Sequence, residues 1–139
     1  MKKLILLLFL ITSCSTVKNK ESIELIRKEK LFNVEVTLNN SVKVPFIVDT
    51  GATITSIPSY VIITLIKAGK IKKHHFIGEK SFTLADGSVV KNTVVLLDEM
   101  DIDGVKIYNV KCTVTENMDS PLLLGQNALE KIGKITLNY

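Results

Sequence analysis

From Phe32 onward the chain alternates between apolar and polar residues. Phe32, Val34, Val36 and Leu38 are interleaved with Asn33, Glu35 and Thr37, the period of a strand with one face on a core. Asn39-Asn40 signals a turn. Val42, Val44, Phe46 and Val48 then alternate again, so a hairpin is predicted that ends at Asp49. Pro45 has no N–H to give to a ladder and belongs at an edge or a bulge. Upstream, Ile23–Arg27 predicts a first strand, ended by the charged Lys28-Glu29-Lys30.

Pro58–Ala68 predicts a helix, with Pro suited to its start and Gly69 to the position past its end. Val61, Ile62, Ile63, Thr64 and Ile66 are β-branched, so intrinsic helicity is poor and a strand is the competing reading. Phe82 and Leu84 lead into Ala85-Asp86-Gly87, and Val89 resumes an apolar run; Asp-Gly between such flanks signals a hairpin. Val94–Leu97 is apolar throughout, as in a strand covered on both faces. Asp103-Gly104 is a further turn. Val105 and Ile107 alternate, the phase slips at Tyr108-Asn109, and Val110, Cys112 and Val114 resume it, which predicts a turn or bulge. Glu116–Ser120 is a polar loop, Leu122–Leu124 a short buried strand, Gln126–Ile132 a short helix stopped by Gly133, and Ile135–Asn138 a last strand. The sum is a mostly β domain with one or two short helices.

The first residues belong to a different pattern. Lys2 and Lys3 precede an apolar run, Leu4–Ile11, that is too short to span a bilayer. Thr12-Ser13-Cys14 follows, small residues before a Cys, which resembles the lipobox of bacterial lipoprotein signal peptides. That resemblance implies cleavage before Cys14 and lipidation of it. The expected organisation is a signal peptide over 1–13, a lipidated tether over 14–21 and one domain over 22–139. The expected location is the bacterial cell envelope, with the domain lipid-anchored on its periplasmic or surface side.

Charge excludes little except nucleic acid. The formal balance of +4 falls to +2 without Lys2 and Lys3, too weak for a polyanion partner. Lys70, Lys72 and Lys73 read as a solvated turn. With Cys14 lipidated, Cys112 has no partner in the chain and reads as a small core residue. His74 and His75 are adjacent, so both cannot face one side of a strand, and they read as exposed. They make a poor metal site. Asp98, Glu99, Asp101 and Asp103 read as a solvated cluster around a turn, and Asp119 as a loop residue. No metal or cofactor is expected.

The candidate chemistry is one carboxylate. Phe46-Ile47-Val48-Asp49-Thr50-Gly51-Ala52 places an acid after a buried strand and before a Gly that permits a sharp turn, which presents an ionisable group from a rigid scaffold. About 70 residues later the device returns without an acid, as Leu122-Leu123-Leu124-Gly125. Aligning Gly51 with Gly125 sets Asp49 against Leu123 and Thr50 against Leu124. Residues 31–58 and 101–132 thus read as two halves of a pseudo-twofold domain.

At these residues the chain resembles a retropepsin-like aspartic protease, the single-domain type of retroviruses and of bacterial relatives. Asp49-Thr50-Gly51-Ala52 matches the family's catalytic motif. Leu123-Leu124-Gly125-Gln126-Asn127 matches its second signature, and Ile132–Tyr139 resembles the last strand of the viral enzymes, which lies in their dimer interface. Thr83–Gly87 resembles a segment of the bacterial relatives where a flap is expected. The resemblance covers roughly residues 22–139 and implies an acid-protease barrel. It departs at the 58–68 helix, at a flap less Gly-rich than the viral one, and at Gln126, where viral enzymes carry an Arg that supports their dimer.

Amide hydrolysis needs an activated water and a proton for the leaving side. Two carboxylates sharing one proton supply both. This chain offers only Asp49, since Leu123 stands at the repeat position, so a working site requires Asp49 from two chains on a twofold axis. The resemblance implies that Thr50 braces the paired loops, that Gly51 lets a substrate backbone approach, and that Ala52 adds a backbone contact. Asp86-Gly87 could close over an extended peptide, although Asp86 also fits as a plain turn residue. The expected activity is a homodimeric aspartic endopeptidase acting on peptide or protein substrates. The alternative is a non-catalytic peptide-binding or envelope-interaction lipoprotein on the same fold.

Overall fold

Among residues 22–28, 30–84 and 86–138, which the computed structural model describes, the order is β1 (Ser22–Lys28), β2 (Leu31–Leu38), β3 (Val42–Val48), β4 (Thr55–Pro58), α1 (Ser59–Lys67), a single 3-10 turn at Lys73–His75, β5 (Phe76–Thr83), β6 (Val89–Ile102), β7 (Val105–Thr115), β8 (Leu123–Leu124), α2 (Gln126–Ile132) and β9 (Lys134–Asn138). The expected signal peptide, Cys14, the tether and Ala85 lie outside the described residues.

The period of two at residues 32–48 folds as predicted. Val34, Val36, Leu38 and Phe46 are buried, and β2 pairs antiparallel with β3 from Asn33↔Ile47 to Leu38↔Val42. Asn39 and Asn40 both have positive φ, the left-handed pair of a type I′ turn, which the Ser41 N–H closes on the Leu38 carbonyl at 3.0 Å. Pro45 sits where the sheet tolerates it. The Ile47 N–H points to β8, donating to the Leu122 carbonyl at 2.9 Å. Pro45 is two residues earlier, so its nitrogen faces the same side, but the ladder with β8 begins only at Ile47.

The sheet closes on itself. Its strands run β5-β6-β7-β4-β8-β3-β2-β1-β9, and β6 also pairs with β2, so β6, β7, β4, β8, β3 and β2 form a barrel. Closure depends on a bend in the β6–β7 ribbon. Buried positions on β6 shift from Val95 and Leu97 to Met100 and Ile102; on β7 they shift from Ile107 to Val110 and Cys112. The phase slip at Tyr108-Asn109 is therefore real, but the turn or bulge predicted there is not found, since β7 is continuous through it. It takes the form of Asn109 at positive φ, with register preserved from Leu97↔Val110 to Glu99↔Tyr108. Past the bend, Met100–Ile102 turns from β5 to β2. Asn39 pins the bend: its N–H donates to the Glu99 carbonyl at 2.9 Å, and its Oδ1 accepts from the Glu99 N–H at 3.1 Å.

Residues 59–67 are helical, which overturns the competing strand reading. Val61, Ile62 and Leu65 bury one side of α1, and that packing outweighs the weak propensity of the β-branched residues. Gly69, at positive φ, ends the helix. Its N–H reaches the Ile66 carbonyl and the Lys70 N–H reaches the Leu65 carbonyl, which satisfies carbonyls the helix leaves open. Pro58 ends β4 and stands as the N-cap residue of α1, one position before the first helical residue.

Two expectations need correction. His75 is buried at 4% exposure, not exposed. Its Nδ1 accepts from the Lys72 N–H at 2.9 Å, and its Nε2 meets Asp98 Oδ2 at 3.1 Å. Asp98, Glu99 and Asp101 stand on β6, not around a turn; only Asp103 is in one. Cys112 is buried as expected, and burial pushes its thiol above the ordinary value, the opposite of what a thiol nucleophile needs.

Candidate active site

The Asp49 loop leaves β3 while still bonded to β8. The Asp49 N–H donates to the Leu124 carbonyl at 3.1 Å, and the Ala52 N–H closes the turn on the Asp49 carbonyl at 3.2 Å. The Gly51 N–H donates to Asp49 Oδ1 at 2.9 Å, so the carboxylate is aimed by its own loop. Asp49 and Ala52 are half-buried and Thr50 and Gly51 exposed. A Cβ at Gly51 would stand 3.2 Å from Asp49 Oδ1, crowding the carboxylate.

The second Gly motif lies against this loop. β8 runs parallel to β3, with Ile47↔Leu123 and Val48↔Leu124 in register. Leu123 is half-buried and Leu124 fully buried, so the repeat position opposite Asp49 is apolar. The two halves differ in one respect. The first inserts β4 between its Gly turn and its helix, whereas Gly125 leads directly into α2.

Helix α2 braces the acid loop with its first turn. The opening N–H groups of a helix have no partner within it. Here the Gln126 N–H donates to the Ala52 carbonyl at 2.8 Å and the Asn127 N–H to the Thr53 carbonyl at 3.3 Å. The Gln126 side chain adds Nε2 to the Thr50 carbonyl at 2.7 Å. Gln126, noted only as a departure from the viral Arg, thus supports the loop within the chain.

Sequence reasoning missed Thr55 and the role of Asn127. Asn127 Oδ1 accepts from the Thr55 N–H at 2.8 Å and from Thr55 Oγ1 at 3.0 Å, and its Nδ2 donates to the Lys111 carbonyl at 2.8 Å. Thr55 Oγ1 in turn accepts from the Gly125 N–H at 3.2 Å. The available signal was a polar pair, Thr55 just past the first Gly motif and Asn127 just past the second. Asn127→Ala strands the buried Thr55 donors, and an unsatisfied buried group costs about 1–3 kcal/mol. The expected outcome is a urea midpoint lowered by about that much with an unchanged slope; an unchanged midpoint would show that water replaces the amide.

The expected flap residues Asp86 and Gly87 are at the tip of the β5–β6 hairpin, beyond the Thr83↔Val89 pair. Gly87 has positive φ and its N–H donates to the Leu84 carbonyl at 2.9 Å. Asp86 Oδ1 accepts from Ser88 Oγ at 2.6 Å and from the Ser88 N–H at 2.9 Å. The hydroxyl first, then the N–H, hold the Asp86 carboxyl below its ordinary value. Its side chain therefore shapes the turn. Leu84 and Val89 are exposed beside it. Among the described residues no group of three or more His, Cys, Asp or Glu could hold a metal ion.

No curated protein matches the chain. The family described as "gag-polyprotein putative aspartyl protease" matches residues 34–131, a span that holds both Gly motifs and the hairpin tip. Among solved structures, a retropepsin-like aspartic protease from Rickettsia conorii is similar at 25% identity and a TM-score of 0.55, over 76% of this chain and 75% of that one. With its acid at the end of β3, its second Gly turn alongside and its barrel closed around both, the chain belongs to the retropepsin-like aspartic protease family.

Proposed function

We propose that this protein is an aspartic endopeptidase that works as a homodimer, each copy supplying Asp49 to one carboxylate pair. One observation carries the reading: the chain aims a single carboxylate from a braced loop and has Leu123 at the repeat position. One carboxylate of the pair takes a proton from water as it attacks the scissile carbonyl; the other, protonated, donates to the carbonyl oxygen. Thr50 braces the paired loops, Gly51 admits the substrate backbone, and Ala52 adds a backbone contact. The hairpin at Asp86-Gly87 closes over an extended peptide, held by strand pairing. Among the described residues β9 pairs with β1 on one side and ends the sheet, and its outer side would receive a second copy.

Lys2, Lys3, the Leu4–Ile11 run and Thr12-Ser13-Cys14 support a lipid anchor at Cys14 in a bacterial envelope. The alternative, a non-catalytic peptide-binding lipoprotein, draws on the Gly51–Asp49 hydrogen bond, which a purely turn-forming acid would also make.

Dilution separates the two. Because each site needs two chains, specific activity on a diverse peptide library falls as protein concentration drops below the dimer dissociation constant. Cleavage by a species whose solution mass stays that of one chain would overturn the shared site. A self-associating protein that cuts nothing in the library at any pH would favour the binding module.

A further inference from the structure

Helix α1 is apolar on both sides. Val61, Ile62 and Leu65 face the core, yet Tyr60, Ile63 and Ile66 are 38%, 48% and 44% exposed. At about 100° per residue, Tyr60, Ile63 and Ile66 share the outer face with Ser59, Thr64 and Lys67. Three large apolar side chains exposed together on one face mark a contact surface. The chain that follows it is basic. The turn at Gly69 folds Lys70 back onto the helix end, Ile71 is buried, and Lys72, Lys73 and His74 are exposed.

Acids are sparse around these cations in the sequence. Residues 50–78 contain no Asp or Glu. Across a cleft of about 370 Å³ beside Lys70 and Lys72 stand Asp98 and Glu99. Asp98 is engaged by His75 at 3.1 Å and Glu99 by Lys106 at 2.8 Å; Lys67, Lys70, Lys72 and Lys73 are in neither pair. The apolar side chains of the outer face thus share it with Lys67, and Lys70, Lys72 and Lys73 follow at the helix end.

We propose that the outer face of α1, with Lys67, Lys70, Lys72 and Lys73, is a docking surface for an anionic phospholipid membrane. An interfacial helix places apolar side chains at the headgroup boundary while neighbouring lysines meet acidic headgroups. The lipid proposed at Cys14 would hold the domain beside a bilayer through a short tether, and docking by α1 would fix its orientation there. This inference does not depend on Asp49 being catalytic.

The chain has no Trp, so one introduced indole reports on its own position. The full chain carrying Ile63→Trp is compared with one carrying Met118→Trp, at a 65% exposed site in a separate loop. Both are mixed with vesicles of phosphatidylglycerol or phosphatidylcholine bearing brominated acyl chains. In phosphatidylglycerol, Ile63→Trp is expected to be quenched at least about threefold more than Met118→Trp, as for a side chain at the acyl boundary. Adding Lys70→Glu and Lys73→Glu is expected to weaken membrane association of the face by about fivefold for each lysine lost, and quenching falls towards the phosphatidylcholine level. Equal quenching at the two sites, or equal quenching in the two lipids, overturns the proposal. So does a blue shift at Ile63→Trp that needs no vesicles, which would assign the face to a protein partner.

Discussion

Asp49→Asn is expected to lower peptide cleavage about a thousandfold or more while leaving the thermal midpoint unchanged. The two halves of that expectation have separate causes. General acid–base catalysis by a placed side chain contributes about 10²–10⁴-fold, and in a shared site one substitution removes both acids of the pair at once. An amide cannot accept a proton from water at any working pH, so no residual base is left. The fold is spared because the structural duty of Asp49 is light. Its Oδ1 accepts one hydrogen bond from the Gly51 N–H, and an Asn oxygen accepts the same bond from the same place. Neither the Asp49 N–H bond to Leu124 nor the Ala52 bond to the Asp49 carbonyl involves the side chain. Mixing provides a sharper readout. Excess Asp49→Asn chains titrate wild-type chains into mixed dimers with a single acid, so activity falls below simple dilution of the wild type. Full activity in the Asp49→Asn protein would remove the aspartic mechanism altogether.

What the sequence revealed about this fold was set by how local each signal is. The β2–β3 hairpin was legible because a half-buried strand writes its period of two directly into the residue order, and Asn39-Asn40 marks the turn. The limits of α2, Gln126–Ile132, were legible because Gly residues bound it on both sides. Most of β5 was not, since Phe76–Ser81 is exposed throughout and a strand with no buried face has no alternation to read. β4 was hidden because Pro58 reads equally as the start of a helix. The bend in β6 and β7 appeared only as a lost phase, and that it closes a barrel depends on the pairing of β6 with β2, to which no local signal points. The site divides in the same way. Asp49 could be found from its neighbours in sequence, but the Thr55–Asn127 network joins residues 72 apart and exists only once the two halves meet. His75 was misread for a related reason: adjacent histidines in a basic turn look solvated, and burial of one comes from Lys72 and from Asp98, 23 residues on.

Gly125→Ala is expected to be among the most destabilising single substitutions in the chain, at about 3 kcal/mol, the upper end of the usual range for overpacking. Conformation is not the obstacle. Gly125 has φ −86° and ψ 175°, which any residue adopts. The obstacle is the backbone of the first half: an added Cβ would lie 2.5 Å from the Ile54 carbonyl carbon, 2.7 Å from its oxygen and 2.8 Å from the Thr55 nitrogen. At Gly51 the nearest atom to an added Cβ is a side-chain oxygen at 3.2 Å, which can swing aside; a peptide unit fixed on both sides cannot. Relief requires the two Gly turns to separate. Separation strains the Gly125 N–H bond to Thr55 Oγ1, the Asn127 bonds to Thr55 and the Gln126 bonds to Ala52 and Thr50 together. Those contacts position Asp49, and a displacement of about 1 Å at a catalytic group can cost about 10²-fold in rate. The folded fraction that survives should therefore be slow as well as scarce. Urea unfolding checks the first effect, and cleavage per folded molecule, under conditions where both proteins are fully folded, checks the second. An Ala variant with the wild-type midpoint would mean that the turns are not packed backbone to backbone, and the bracing assigned to α2 would fall with it.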